Sequence, residues 1–176
     1  LRNKKAFNAS FDITAEDYHN ARPGYPPVLY GDIKGLCGLG NTSRLLEIGA
    51  GSGIATVELA KFGGRVVALE QGVRLAAIAR EQTKGSKNVE VIETTFENFD
   101  SSEQFDTILA FTAYHWLEER SRDRKILNLL DDNGSLVLVW HSFFLSDSKV
   151  TSEVNRACHK HLPEVYPGEE NISEVN

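Results

Sequence analysis

What this chain lacks narrows its class before any motif is considered. It has no methionine, two cysteines and five prolines among 176 residues. Cys37 and Cys158 are far apart and neither stands in a metal-ligand spacing, so no bound metal is expected, and a reduced intracellular thiol points to a cytoplasmic protein. No apolar run approaches the ~20 residues of a membrane-spanning helix, and the basic start at Arg2, Lys4 and Lys5 is not followed by the apolar core of a signal peptide; no membrane partner is expected. With 25 acids against 19 Lys and Arg, and a formal net charge of −6, the chain lacks a basic groove able to displace counterions from a phosphate backbone. A nucleic-acid partner is therefore disfavoured, and a small uncharged or cationic molecule fits better. Neither an internal repeat nor a low-complexity linker divides the sequence. One domain over residues 1–176, near the usual ~150-residue unit and 41% apolar, is the expected organisation. Oligomeric state leaves no signal.

What is present is organised around residues 44–53, Arg-Leu-Leu-Glu-Ile-Gly-Ala-Gly-Ser-Gly. Leu45, Leu46 and Ile48 make an apolar run of strand length, and Gly49, Gly51 and Gly53 come next as a turn in which a side chain would obstruct a ligand. Ile54 to Phe62 then has helical spacing and stops at Gly63-Gly64. Strand, glycine turn and helix start together predict a nucleotide-type site in a doubly wound sheet. Spacing selects among nucleotides. A dinucleotide fingerprint needs its third glycine three residues after the second, where this chain has Ile54. Glu47, at the carboxyl end of the strand, would repel a pyrophosphate but suit an ammonium. Val66 to Glu70 is a second strand ending in an acid, roughly 20 residues past the turn, placed to accept both ribose hydroxyls. A ribose and an ammonium without phosphates describe S-adenosylmethionine.

At this point the residues resemble a family. Glu47-x-Gly49-x-Gly51-x-Gly53 with Glu70 looks like the first two cofactor motifs of the class I S-adenosylmethionine-dependent methyltransferases. The order of the downstream segments strengthens the resemblance: Val89 to Ile92, then Thr94-Thr-Phe-Glu97, Phe105 to Ala110, and Asp132 to Trp140, so that it spans about Tyr18 to Trp140. It implies a Rossmann-like α/β fold, a parallel sheet in the order 3-2-1-4-5 with helices on both faces and right-handed crossovers, S-adenosylmethionine as cofactor, and in-line methyl transfer to a small-molecule acceptor. The implied cofactor contacts are Tyr18, Arg22, Glu47, Gly49, Ala50, Gly51, Gly53, Glu70, Gln71, Thr95, Phe96 and Phe111. Thr95 stands where the family often places an acid against the adenine amine, and its hydroxyl can still bond the base. Phe96 can offer its backbone amide and ring to adenine, or be an ordinary core aromatic. His115-Trp116 is similar to a small-molecule, type 11-like branch acting on metabolites such as carboxylic acids and lipid-like acceptors. There His115 would be the catalytic residue, orienting or deprotonating the acceptor, and Trp116 would wall the acceptor's apolar part; a helix cap and a core tryptophan are the alternatives. Branches that methylate nucleic acid are disfavoured, because no Asn/Asp-Pro-Pro-Tyr run comes after the fourth strand and Cys37 has no proline neighbour.

The remaining segments are arranged around that centre. Residues 1–13 read as extended, Thr14 as the cap of a helix with Tyr18 and Arg22 on one face, and Arg22-Pro-Gly-Tyr-Pro-Pro27 as a hinge. The Tyr-x-x-x-Arg-Pro-x-Tyr-Pro pattern is similar to a family segment that folds over the cofactor, where Arg22 would meet the methionine carboxylate; a solvated helix-end arginine is the alternative. With this cover, the part preceding the first strand is about residues 1–43. Pro27 to Leu36 reads as a helix with Val28, Leu29, Ile33 and Leu36 inward, and Gly72 to Lys84 as another bearing Val73, Leu75, Ala76, Ile78 and Ala79. A helix over Glu118 to Leu130 is expected to bury Ile126, Leu127, Leu129 and Leu130, with a turn at Asp131 to Gly134, a fifth strand from Ser135 to Trp140 covered on both faces, and Asp106 bonded to nearby backbone amides. Asp147 is expected to cap a last helix with Val150, Val154, Ala157, Cys158 and Leu162, ended by Pro163. The family completes its sheet with two further strands, which residues 164–176 do not supply, so with Leu1 in place of an initiating methionine the chain is expected to be part of a longer protein. Two other functions stay open: a nucleotide-dependent oxidoreductase, and a cofactor-binding module that does no chemistry and serves a partner protein.

Overall fold

The structure, a computed structural model, describes residues 11–141 and 148–161. The chain forms two compact units, Leu1–Trp140 and His141–Asn176. Within the first, the elements run α1 (Ala15–Ala21), α2 (Pro27–Leu36), β1 (Arg44–Ile48), α3 (Ile54–Ala60), β2 (Arg65–Glu70), α4 (Val73–Thr83), β3 (Val89–Glu93), β4 (Phe105–Phe111), a 3-10 turn (Tyr114–Trp116), α5 (Arg122–Leu129) and β5 (Leu130–Val139). The second holds α6 (Ser148–His161), on which Val150 and Val154 are exposed. Asp147, Leu162, Pro163 and residues 164–176 lie outside the described residues, as do residues 1–10; residues 11–13, expected to be extended, are helical.

The five strands form one sheet in the order β3-β2-β1-β4-β5, every neighbouring pair parallel. This is the Rossmann-like arrangement expected. Its central strands bury both faces, because successive side chains of an apolar strand point to opposite sides. Leu45 joins Tyr30, Ile33, Ala55 and Leu59 beneath α2 and α3. Leu46 and Ile48 join Val67, Leu69, Ile108, Ile126 and Leu129 beneath α5. Burying each such Leu or Ile contributes about 1.5–3 kcal/mol, enough to fix the register of β1 against a one-residue slip. Proline suits the start of α2: Pro27 occupies the first helical position, where its missing N–H costs nothing.

Several faces differ from expectation. Val28 and Leu36 are 69% and 87% exposed. Helix α2 does turn Ile33 inward, with Leu29 packed on the same cluster, but Tyr30 takes the other inward place, because its ring packs on Phe111 at a centroid distance of 6.1 Å. Helix α5, which begins at Arg122 and not Glu118, buries Ile126 and Leu129 as expected, but Leu127 is 70% exposed. Among the described residues β5 pairs with β4 alone and is half-buried, not covered on both faces. It also starts earlier than expected: Phe105 pairs with Leu130 and Thr107 with Ser135, so the extra residues of the expected turn bulge out of the ladder. Asp106 does accept a backbone amide, that of Arg44 at 2.7 Å, but it also takes the Arg44 guanidinium at 2.6 Å, which Asp131 shares at 2.9 Å.

Candidate active site

The carboxyl ends of β1, β2, β3 and β4 lie on one side of the sheet and open into a cavity of about 250 Å³. The glycine turn leaves β1 there. Gly51 has φ +60°, a left-handed conformation that costs an L-residue roughly 1–2 kcal/mol, and the position of its absent Cβ faces the Tyr18 ring at 3.7 Å. Gly53 serves packing: a Cβ there would lie 3.0 Å from the Cα of Ala79, so α3 and α4 approach through it. Gly49, Gly51, Glu70, Gln71, Thr95, Phe96 and Phe111 line the cavity, with Tyr18 and Arg22 contributed by the N-terminal segment and His115 and Trp116 by the 3-10 turn. Glu47 and Ala50 line a smaller hollow of about 30 Å³ that shares Tyr18, Arg22, Gly49, Gly51 and Phe111 with it.

Two carboxyls stand close to the turn. Glu70 ends β2, and its oxygens accept the amides of Gly51 at 2.8 Å and Gly72 at 2.7 Å, tying the glycine turn to the start of α4. Burial raises its pKa against those amides, and the Asp12 charge adds to the rise. Glu47 is fully buried on the α3 side of β1, where it accepts the Thr56 hydroxyl at 2.6 Å. Burial pushes its carboxyl up to about 8, the Thr56 bond opposing and the Glu70 charge reinforcing the rise. Glu47 is thus largely protonated near neutral pH.

Thr95 accepts the amide of Asn98 at 3.2 Å, capping the short turn that carries Phe96 into the core under Lys125. On the opposite rim, Arg22 caps the end of α1 and its guanidinium lies 5.6 Å from the Tyr18 ring centroid. The N-terminal segment is pinned by side chains that spacing did not reveal. Asp12 accepts the Arg74 and Leu75 amides at 2.8 and 3.1 Å, a carboxylate at the start of α4 where the helix dipole favours it. His19 Nδ1 meets the buried Ser52 hydroxyl at 2.9 Å, and Tyr25 meets Thr112 at 3.1 Å. Thr112 has φ +55°, uncommon for a β-branched residue, at the turn leaving β4. Beyond it, Trp140 Nε1 donates to His115 Nδ1 at 3.3 Å, and the His115 and Trp116 rings lie 4.7 Å apart. Among the described residues no group of three or more His, Cys, Asp or Glu could hold a metal ion, and no helix is long and apolar enough to cross a membrane.

Residues 46–138, more than half of the chain, match the family described as methyltransferase domain. The chain belongs to that family. A putative methyltransferase of Dictyostelium discoideum is 32% identical over 133 residues, covering 75% of this chain and 49% of that protein. An uncharacterized methyltransferase of Schizosaccharomyces pombe is 26% identical over 144 residues, covering 75% of this chain and 52% of that protein. The chain therefore spans about half the length of the curated relatives it matches. Among solved structures, the DhpI–SAH complex shares the fold with a TM-score of 0.62 and 16% identity, over 80% of this chain and 70% of that one. The methyltransferase match begins within β1 and ends within β5, so the cavity's strand ends fall inside it, while Tyr18, Arg22 and Trp140 fall outside.

Proposed function

We propose that this methyltransferase-family chain binds S-adenosylmethionine across the carboxyl ends of β1, β2 and β3, under the segment from Tyr18 to Pro27, and methylates a small-molecule acceptor at the 3-10 turn. The observation that carries it is the placement of Glu70. A carboxylate with one oxygen on each of two neighbouring backbone amides still has lone pairs for a pair of vicinal hydroxyls, and it faces the cavity. The same arrangement opposes a dinucleotide. A pyrophosphate would need glycine-turn amides, yet that of Gly51 is given to Glu70 and that of Gly53 to the Ala50 carbonyl at 3.0 Å. The residues present therefore fit a ribose without a phosphate.

When bound, the cofactor supplies a methyl group already electrophilic on a sulfonium, so the chain's contribution is mainly alignment, a source of roughly 7–11 kcal/mol. In this reading Glu70 would accept the ribose hydroxyls, Gly51 would border the methionine part, and Gln71, Thr95, Phe96 and Phe111 would surround the adenine side, while Gly49 lets Ala113 approach, a Cβ there lying 2.7 Å from that of Ala113. Arg22 would hold the methionine carboxylate, and Glu47, once deprotonated, would accept its ammonium. The segment from Tyr18 to Pro27 excludes water while closed and opens to release product. His115 and Trp116 meet the acceptor. Net charge −6 and two free cysteines support a cytoplasmic setting with no nucleic-acid or membrane partner.

Isothermal titration with S-adenosylmethionine, S-adenosylhomocysteine and NAD(H) tests this reading. Binding of the first two without the third is expected; binding of NAD(H) alone would replace it with the oxidoreductase, and cofactor binding without turnover over a broad acceptor panel would favour a non-catalytic module.

A further inference from the structure

We propose that Trp140 is a positioning residue that fixes the tautomer of His115 and makes it a hydrogen-bond donor, not a proton acceptor, toward the methyl-accepting molecule. The inference rests on the functional reading above and decides between the two roles open to His115.

An indole N–H donates and cannot accept, so its partner must offer a lone pair. Trp140 Nε1 lies 3.3 Å from His115 Nδ1, and Nδ1 is therefore the unprotonated nitrogen. The neutral ring then carries its proton on Nε2. From that state Nε2 can donate but cannot take a proton, because its lone pair is already bonded to hydrogen. Taking a proton at Nε2 would require the other tautomer, with Nδ1–H pointed at the indole N–H. Two donors would then face each other across the contact, and that tautomer forfeits the hydrogen bond.

Trp140 is placed by the sheet. Phe111 pairs with Val139 in the parallel ladder, and the Thr112 amide extends that ladder to the Val139 carbonyl at 2.7 Å, which brings Trp140, the residue after β5, beside the 3-10 turn. Its ring meets the edge of Tyr114 at 6.4 Å and 85°, and Tyr114 is itself held beneath the Arg122 guanidinium at 4.1 Å with its hydroxyl on Asp123. The His115 ring is flanked on another side by Trp116 at 4.7 Å and lines the cavity. The consequence is chemical. The acceptor atom that meets His115 is an oxygen or nitrogen with a free lone pair, such as that of a carboxylate or carbonyl, and any proton the acceptor loses leaves by another route.

The test is nitrogen-15 NMR of the whole chain labelled at its five histidines, with His115 assigned by the loss of its signal in His115→Gln. The expected spectrum at neutral pH shows His115 with a pyridine-like Nδ1 and a pyrrole-like Nε2. Trp140→Phe keeps the ring but removes the donor, and should move both His115 shifts toward the average of two tautomers while the other histidines stay in place. A pyrrole-like Nδ1 in the unsubstituted chain overturns the proposal, as does a Trp140→Phe spectrum with His115 unmoved. If the variant does not fold, the spectrum of the unsubstituted chain decides alone. Failure of the methyltransferase reading would appear separately, as absence of S-adenosylhomocysteine binding with the tautomer signature intact.

Discussion

The two ends of the cavity are built from different material. At the β1–β2 end the working parts are backbone: a left-handed glycine, two amides and the carboxylate that ties them together, with Glu47 buried behind. At the β4–β5 end they are aromatic side chains on a 3-10 turn and just past the end of β5, with Trp140 47% exposed. The first end is rigid because its elements are covered on both faces. The second can change its side chains without disturbing the sheet.

Substitutions should separate the ends. The largest effect is expected from Gly51→Val, which combines left-handed strain with a branched side chain against Tyr18. S-adenosylhomocysteine affinity should fall about 100-fold or more, roughly 2.7 kcal/mol, by calorimetry, with the circular dichroism of a folded chain. An unchanged affinity would mean that the turn does not touch the ligand. Next is Glu70→Ala, which removes an acceptor from two amides and, in the proposed reading, from the ribose; a loss of about 1.5–3 kcal/mol in binding is expected.

A pH series sharpens the comparison within the rigid end. Burial holds the Glu47 carboxyl at about 8 in the folded chain, against its ordinary 4.5. Between those values the folded chain keeps a proton that the unfolded chain has released, so stability is full below about pH 4.5 and declines as pH rises toward 8. Urea midpoints measured across that window should fall, and Glu47→Gln should flatten the decline, leaving the slope from Glu70, which is shifted in the same direction. Cofactor affinity should run the other way and rise over the same window as Glu47 becomes free to meet an ammonium.

At the flexible end, His115→Ala and Trp116→Ala should change S-adenosylhomocysteine affinity by less than about 3-fold, below 0.7 kcal/mol, while reducing turnover on any acceptor found. The smallest effects belong to the outward faces. Val28→Gln and Leu127→Gln should each shift unfolding stability by no more than about 0.5 kcal/mol, since both side chains are mostly in water.

The same contrast explains what could be read from the sequence. Gly49, Gly51, Gly53 and Glu70 were legible because backbone conformation and strand ends impose short, fixed spacings; strand, glycine turn and helix start pointed to a doubly wound sheet, while its parallel order came from the family resemblance. The inward faces of α2 and α5 were less so, because apolar residues mark a stripe only to within a turn, and the Tyr30 ring claimed the position that Val28 and Leu36 were expected to share. His19 with Ser52, Tyr25 with Thr112 and Trp140 with His115 were not legible at all. Their partners lie 33, 87 and 25 residues away, and the folded sheet alone brings them together.

The central claim is that Glu70 holds a ribose at the end of β2. A crystal structure grown with S-adenosylhomocysteine tests it most directly. The account predicts both ribose hydroxyls about 2.5–3.0 Å from the Glu70 carboxylate, with the Gly51 and Gly72 amides still bonded to it. A ligand whose ribose lies elsewhere, with Glu70 bonded to those amides alone, would contradict it.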